Sequence, residues 1–229
     1  MATTLAFDVY GTLIDTHGLV ARLQELIGEK ASEFSRTWRD KQLEYSFRRG
    51  LMQNYETFTV CTKNALDYTC SFYQIQLAEE QKNELLSGYR VLPAFDDVGN
   101  GLSALQSSGF RIYAFSNGSA EAVDTLLTSA GIRDLFLGIV SVDELKSFKP
   151  NPAVYCHFLR KSGASGSDAW LISSNPFDVI GAISAGMRSV WLKRSPDAIF
   201  DPWGIEPTLT VSSLLDLADK IQNYREVIR

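Results

Sequence analysis

Leu5-Ala6-Phe7-Asp8-Val9-Tyr10-Gly11-Thr12-Leu13 decides how the rest of the chain is read. A short apolar run ends in a carboxylate, and a glycine turn follows at once. That is the pattern of a buried β-strand with Asp8 at its C-terminal end. A carboxylate in such a place is costly unless it is hydrogen-bonded or used. Asp8 therefore either caps the following turn or takes part in chemistry, and the backbone N–H groups of Gly11 and Thr12 could serve either role.

Beyond this strand the texture changes. From His17 to about Tyr89 apolar residues recur at helical spacing: Leu19, Leu23, Leu26 and Ile27, then Phe34, Trp38, Leu43 and Phe47. The stretch from Glu56 to Tyr73 is rich in Thr and aromatics, which favour strands, yet the whole block reads as helical. From Leu92-Pro93 onward strands and helices alternate. Strands are expected at 110–115, 137–142, 169–173 and 189–192. Helices are expected at 97–107, 119–130, 153–161, 176–185 and 213–227, with Ser119 as a cap and Gly131 and Gly186 as stops. Alternation of this kind implies a parallel sheet covered on both faces. The first strand is cut off from the others by the helical block. The expected layout is an α/β core of residues 1–14 and 93–229, with a helical cap domain at 15–92 inserted into it.

Composition bounds the function. A chain of 229 residues makes one large domain or a domain with an insertion. With 45% hydrophobic and 21% charged residues, disorder, collagen and coiled coil are poor readings. Lys plus Arg is 22 against 27 Asp plus Glu, a net charge of −5 with no long basic block, which argues against nucleic-acid binding. No apolar run approaches the ~18 residues of a membrane span, and the uncharged start Met1–Leu5 is too short for a secretory signal. Cys61, Cys70 and Cys156 are odd in number and form no C-x-x-C pair. They speak against a disulfide framework or a zinc site and for a cytoplasmic location. The two histidines, His17 and His157, exclude a histidine-rich metal centre and read as surface or cap residues.

Ligands of open parallel sheets bind beyond the carboxyl ends of the strands. Asp8, Ser116 and Ser173 all stand at expected strand ends. Ser116-Asn117-Gly118-Ser119 follows a strand and opens a helix. It is either a polar turn with an N-cap or an anion site of hydroxyl, amide and helix N-terminal N–H groups. In Lys149-Pro150-Asn151-Pro152, Asn151 suits a cap and Pro152 a first helical turn. Lys149 is then a solvated charge, or it points its ammonium at Asp8 and holds that carboxyl ionised. In Ser173-Ser174-Asn175-Pro176-Phe177-Asp178, Asn175 caps, Pro176 opens the helix and Asp178 at its third position favours the helix dipole.

Each signal is weak alone. Their order and spacing together resemble the four motifs of the haloacid dehalogenase superfamily, over nearly the whole chain. The resemblance implies a Rossmann-like open parallel sheet with an inserted helical cap. Most members of that superfamily are Mg-dependent phosphatases, with a second Asp two residues after the nucleophile and further acidic groups in the fourth motif. Here Tyr10 holds the first position, and Ser173, Ser174 and Asn175 stand in the fourth motif with Asp178 as its one carboxylate. A hard cation wants several carboxylate or water oxygens. The departures fit a leaving group that needs neither proton nor metal, and halide is one. Trp38-Arg39-Asp40-Lys41-Gln42-Leu43-Glu44-Tyr45 is similar to the cap segment of L-2-haloacid dehalogenases, which puts Arg39 opposite the departing halide. Tyr155 matches the tyrosine of the third motif. Tyr10, Leu43, Phe58 and Phe177 match the apolar pocket, with Phe177 where Trp is expected and Asp40 where Gln is common.

The resemblance implies a cofactor-free mechanism without a metal. Asp8 displaces halide from C2 of a 2-haloacid and forms an ester, with Arg39 receiving the halide. Ser116 and Asn117 bind the substrate carboxylate, and Lys149 neutralises charge. Water then attacks the ester, positioned or activated by Asp178 and Lys149. Thr12, Ser173 and Asn175 steady Asp8 or the oxyanion. The implied partners are the 2-haloacid and halide, with a homodimer through leftover apolar faces of the cap left open. Two other readings are weighed: a Mg-dependent phosphatase of the same fold, and a non-catalytic binding protein.

Overall fold

The computed structural model describes residues 3–227. The extreme ends of the expected core, 1–2 and 228–229, lie outside the described residues, and with them the first part of the Met1–Leu5 start. The opening strand, β1, runs Thr4–Phe7 with all four residues buried. Asp8 follows directly, its N–H donating to the Ile172 carbonyl. The turn behind it folds back through N–H bonds from Leu13 and Ile14 to the Val9 carbonyl. Gly11 sits in it at φ +82°, a left-handed conformation that glycine enters without a Cβ penalty.

Helices follow: α1 Val20–Ile27, α2 Ala31–Leu51, α3 Phe58–Tyr73 and α4 Glu79–Gly88. The long α2 buries Ala31, Phe34, Trp38, Gln42 and Ser46 along one stripe, the three- and four-residue spacing of a helix face. That stripe packs on α3. The threonines that make α3 look like a strand are accommodated by back-bonding: Thr62 and Thr69 donate to the Phe58 and Ala65 carbonyls four residues earlier. Thr57 caps α3 by accepting from the Val60 N–H.

The remaining elements alternate: α5 Val98–Ser107, β2 Arg111–Ser116, α6 Ala120–Ser129, β3 Gly138–Ser141, α7 Pro152–Ser162, β4 Ala169–Ser173, α8 Pro176–Ser184, β5 Arg188–Leu192, β6 Leu209–Val211 and α9 Leu217–Val227. The strands form one sheet in the order β3-β2-β1-β4-β5-β6, with every neighbouring pair parallel. The expected Rossmann-like α/β sheet is present, with a sixth strand added. β6 has three residues, too few for a period to show in sequence. The strand order reverses beside β1, between β1 and β4, where ligands of such sheets bind.

Ser119 and Asn151 cap α6 and α7 as expected, each accepting a backbone N–H. His157 does not lie on the surface or in the cap. It belongs to α7, 6% exposed, because it falls on the face that α7 buries with Val154 and Phe158. His17 is exposed and leans on Asp15. Among the described residues no helix is long and apolar enough to cross a membrane.

Candidate active site

The loops after β1 and β4 meet over the Asp8 carboxylate. Its Oδ2 accepts from Thr12 Oγ1 at 2.8 Å, Asn175 Nδ2 at 2.8 Å and Ser173 Oγ at 3.3 Å. Its Oδ1 accepts from Lys149 Nζ at 3.1 Å. The two loops are zipped as well. Thr12 Oγ1 accepts the Ser174 N–H, and Ser174 Oγ donates to the Gly11 carbonyl. Asp8 is only 8% exposed, so these four donors, rather than water, solvate its charge.

Asn175 stands at the start of α8, but its side chain makes no capping bond. The expected cap is corrected: the amide is spent on Asp8, and the Asn175 N–H finds Ser173 Oγ instead. A short polar residue before Pro is a good cap by local rules, and here a tertiary partner outcompetes the local one.

Lys149 is fully buried and donates three ways, to Asp8, to the Phe115 carbonyl at 2.9 Å and to Asp178 Oδ2 at 2.8 Å. It is not a solvated charge. Burial works against its ammonium, but Asp178 and Asp8 outweigh that and hold its pKa above the ordinary lysine value. Asp178 is also fully buried, and burial pushes its carboxyl up against the opposing pull of Lys149. Its Oδ1 accepts from Tyr155 Oη at 2.8 Å. Burial first, and then Asp178, push the Tyr155 phenol well above its usual range. Tyr155 thus meets Asp178 rather than Asp8, and each Asp178 oxygen carries a donor.

Ser116 ends β2 and Asn117 follows it. Ser116 Oγ accepts the Gly118 N–H at 3.1 Å, and Asn117 Oδ1 accepts the Lys149 N–H at 2.9 Å. The start of α6 borders a cavity of about 230 Å³ whose wall includes Gly118, Ser119, Tyr10, Phe58 and Gln42. The Tyr10 and Phe58 rings lie 5.7 Å apart. Burial pushes the Tyr10 phenol up to about 12 against the opposing charge of Arg39. On the other side, Arg39, Ser174, Asn175 and Arg194 border a second cavity of about 570 Å³.

Arg39 projects from α2, its Nη2 donating to the Tyr10 carbonyl at 3.2 Å. Leu43, one helical turn on, is half-buried. Phe47, one further turn on, meets the ring of Phe177 edge-on at 4.9 Å. The structure therefore brings Asp8, Thr12, Lys149, Ser173, Asn175 and Asp178 into one bonded cluster. Arg39 and Tyr10 border it, Phe58 packs on Tyr10, and Tyr155 supports it from behind.

Two residues escaped the sequence reading. Gln42 Oε1 accepts from Arg39 Nη1. Arg194, beyond β5, donates twice to the Thr12 carbonyl, at 2.7 and 3.0 Å, and once to Asp97. Asp97 in turn accepts the Leu214 N–H. Gln42 had a signal, a polar residue on the apolar stripe of α2. Arg194 had none, because its partners are remote in sequence. Among the described residues no three His, Cys, Asp or Glu side chains gather to hold a metal ion.

The parallel sheet thus carries at its switch point an aspartate held by Ser/Thr hydroxyls, an amide and a buried lysine. Residues 2–186 match the family model of the haloacid dehalogenase-like hydrolases, and the chain belongs to that family. It is 35% identical over 210 residues to the (S)-2-haloacid dehalogenase of Pseudomonas sp. (strain YL), covering 92% of this chain and 90% of that one. It is 37% identical over 207 residues to haloacetate dehalogenase H-2 of Moraxella sp. (strain B), covering 90% and 92%. The fold matches L-2-haloacid dehalogenase from Xanthobacter autotrophicus, solved with chloropropionic acid covalently bound. The TM-score is 0.90 at 26% identity, covering 97% of this chain and 99% of that one.

Proposed function

We propose that this enzyme hydrolyses the carbon–halide bond of short L-2-haloalkanoic acids, with inversion at C2, through an ester on Asp8. The observation that carries the reading is the solvation of Asp8. A carboxylate held by Thr12, Asn175, Ser173 and Lys149 is fixed in direction, as in-line attack requires. The relatives' names supply the substrate class.

An Asp8 oxygen attacks C2, the new C–O bond forms as the C–halogen bond breaks, and the halide leaves with the bonding pair. Arg39 receives its charge from the cap side. No proton is needed at the leaving group, which suits Tyr10: a phenol near 12 is a poor acid at neutral pH. Gly118 and Ser119, at the start of a helix, take the substrate carboxylate in company with Ser116 and Asn117. Water then attacks the ester carbonyl of Asp8, releasing the 2-hydroxy acid and returning the carboxylate, with one proton passed to solvent. Splitting one hard displacement into two steps is the general gain of an enzyme nucleophile. Lys149 balances the charge of Asp8 and Asp178 throughout, the task a divalent cation would otherwise take, so the reaction proceeds without a metal. Tyr155 and Asp178 act as positioning residues for Lys149. Residues 15–92 serve as the cap domain that closes over this site.

The test is halide release from L- and D-2-chloropropionate in excess EDTA, with wild type and Asp8→Asn. The expected result is release from the L form alone, unaffected by EDTA and abolished in the variant. No release from either form, with Mg-dependent cleavage of an aryl phosphate instead, overturns the reading in favour of a phosphatase.

A further inference from the structure

The stripe that α2 buries against α3 is apolar at Ala31, Phe34 and Trp38 and then turns polar at Gln42, which is fully buried. A primary amide there needs partners for both ends, since an unpaired buried polar group is costly. Both ends are taken. Gln42 Oε1 accepts from Arg39 Nη1, one turn earlier on the same helix, and Gln42 Nε2 donates to Thr62 Oγ1 on α3. Thr62 Oγ1 donates onward to the Phe58 carbonyl. The Thr62 carbonyl accepts Trp38 Nε1 at 2.9 Å, which fixes the register of α2 on α3.

We propose that Gln42, set by Thr62, is the positioning residue that aims Arg39 at the departing halide. The inference rests on the dehalogenase reading above. An arginine on a helix surface has a mobile stem, and holding it in one rotamer costs entropy that a weak leaving-group contact does not recover. Gln42 on one nitrogen and the Tyr10 carbonyl on another hold the guanidinium plane from two sides. Among the described residues, these acceptors take two of its five N–H groups. An acid at position 42 would hold Arg39 too, but would neutralise it. A neutral amide accepts the hydrogen bond and leaves the positive charge available to the anion. Thr62 decides which way the amide faces. Its hydroxyl hydrogen is committed to Phe58, so it offers Gln42 an acceptor, and the amide oxygen must turn toward Arg39.

The experiment compares kcat/KM for L-2-chloro-, L-2-bromo- and L-2-iodopropionate in wild type, Gln42→Leu, Thr62→Val and Thr62→Ser, with urea unfolding of each. Charge develops most tightly on chloride, the poorest leaving group of the three. Misaiming Arg39 should therefore penalise the chloride substrate most. Gln42→Leu is expected to lower kcat/KM for the chloride substrate about tenfold, the loss of one hydrogen bond to a charged group, and for the iodide substrate by less, so that the chloro/iodo ratio falls. Thr62→Val should shift the ratio in the same direction by less, and Thr62→Ser, which keeps the hydroxyl, should restore it. Equal losses on all three halides would overturn the proposal, since that is the signature of a packing defect, and so would an unchanged ratio in the variants. Should Gln42→Leu fail to fold, the Thr62 pair decides in the same way. Wild type that releases no halide from any of the three sinks the dehalogenase reading itself, a result distinct from either of these.

Discussion

Replacing Lys149 by Met removes a positive charge from a place where no other group can supply one. Its ammonium lies 2.8 Å from Asp178 and 3.1 Å from Asp8, with the Lys149 side chain 1% and that of Asp178 0% exposed. Removing one partner of a buried ion pair costs about 3–5 kcal/mol, because it strands a charge out of reach of water. Met refills most of the stem volume, so little of the loss comes from a cavity. The stranded carboxylate can escape by taking a proton. Burial already holds the Asp178 carboxyl above its ordinary range, with Lys149 opposing and Asp8 reinforcing the shift. Without Lys149 the main opposing charge is gone, and the folded-state pKa rises further above the ~3.9 of an unfolded Asp. Between those two values the folded variant binds a proton that the unfolded chain does not. Stability therefore falls as pH rises through that window, by up to about 1.4 kcal/mol per pH unit. The assay is urea unfolding of wild type and Lys149→Met at pH 5.5, 6.5 and 7.5. The stability gap is expected to reach about 3–5 kcal/mol at pH 7.5 and to narrow toward acid. Lys146→Met is the control: its ammonium is exposed and 3.3 Å from Asp143, and a surface pair of this kind contributes about 0.5 kcal/mol or less. A gap below about 1 kcal/mol, or one of equal size at all three pH values, would falsify the view that Lys149 balances two buried carboxylates.

Gly181→Ala should lose about 1–3 kcal/mol of stability, because a Cβ there would lie 2.4 Å from Tyr155 Oη and 2.9 Å from Pro150 Cβ. Gly99→Ala in α5, where a Cβ meets nothing within 4 Å, should instead gain up to about 1 kcal/mol in the same urea titration; equal effects at the two sites would contradict the packing around Tyr155. Asn175→Ala should lower kcat at least tenfold and cost about 1.5–3 kcal/mol in urea unfolding, because its amide serves the buried Asp8 carboxylate and not the start of α8. A loss of about 1 kcal/mol with activity intact would instead mark it as an ordinary cap.

The fold was legible because its signals are local. Strand β4 falls on the expected residues 169–173, since four buried apolar positions ending in a buried serine leave little choice. The Thr-rich stretch 56–73 is helical from Phe58 on as expected, because each buried hydroxyl is satisfied four residues back along the helix. Where the signal was short or tertiary, reading failed. β6 is three residues at the sheet edge. His157 reads by residue type as a surface or cap residue, although histidines are only intermediate in burial. Yet it follows Val154 by three residues, on the face that α7 buries, and helical spacing outweighs residue type.

The site divides along the same line, and the division has a physical cause. Asp8, Ser116 and Ser173 are strand-end residues, so the sheet itself aligns them. Their place could be read because each motif marks where a strand stops. Asn175 shows the limit of that logic. Local rules account for it as a cap, whereas the resemblance has it steady Asp8 or the oxyanion; the amide goes to Asp8, not to the helix start. Sequence rules of this kind fail where function has claimed a side chain. Gln42 is the converse case. Nothing local explains a buried amide in the stripe 31, 34, 38, 42, and a polar residue there can persist only if a partner satisfies it. The partner is Arg39, the group proposed to meet the leaving halide. A side chain that violates the pattern of its own helix thus points to the chemistry as directly as a motif that obeys one.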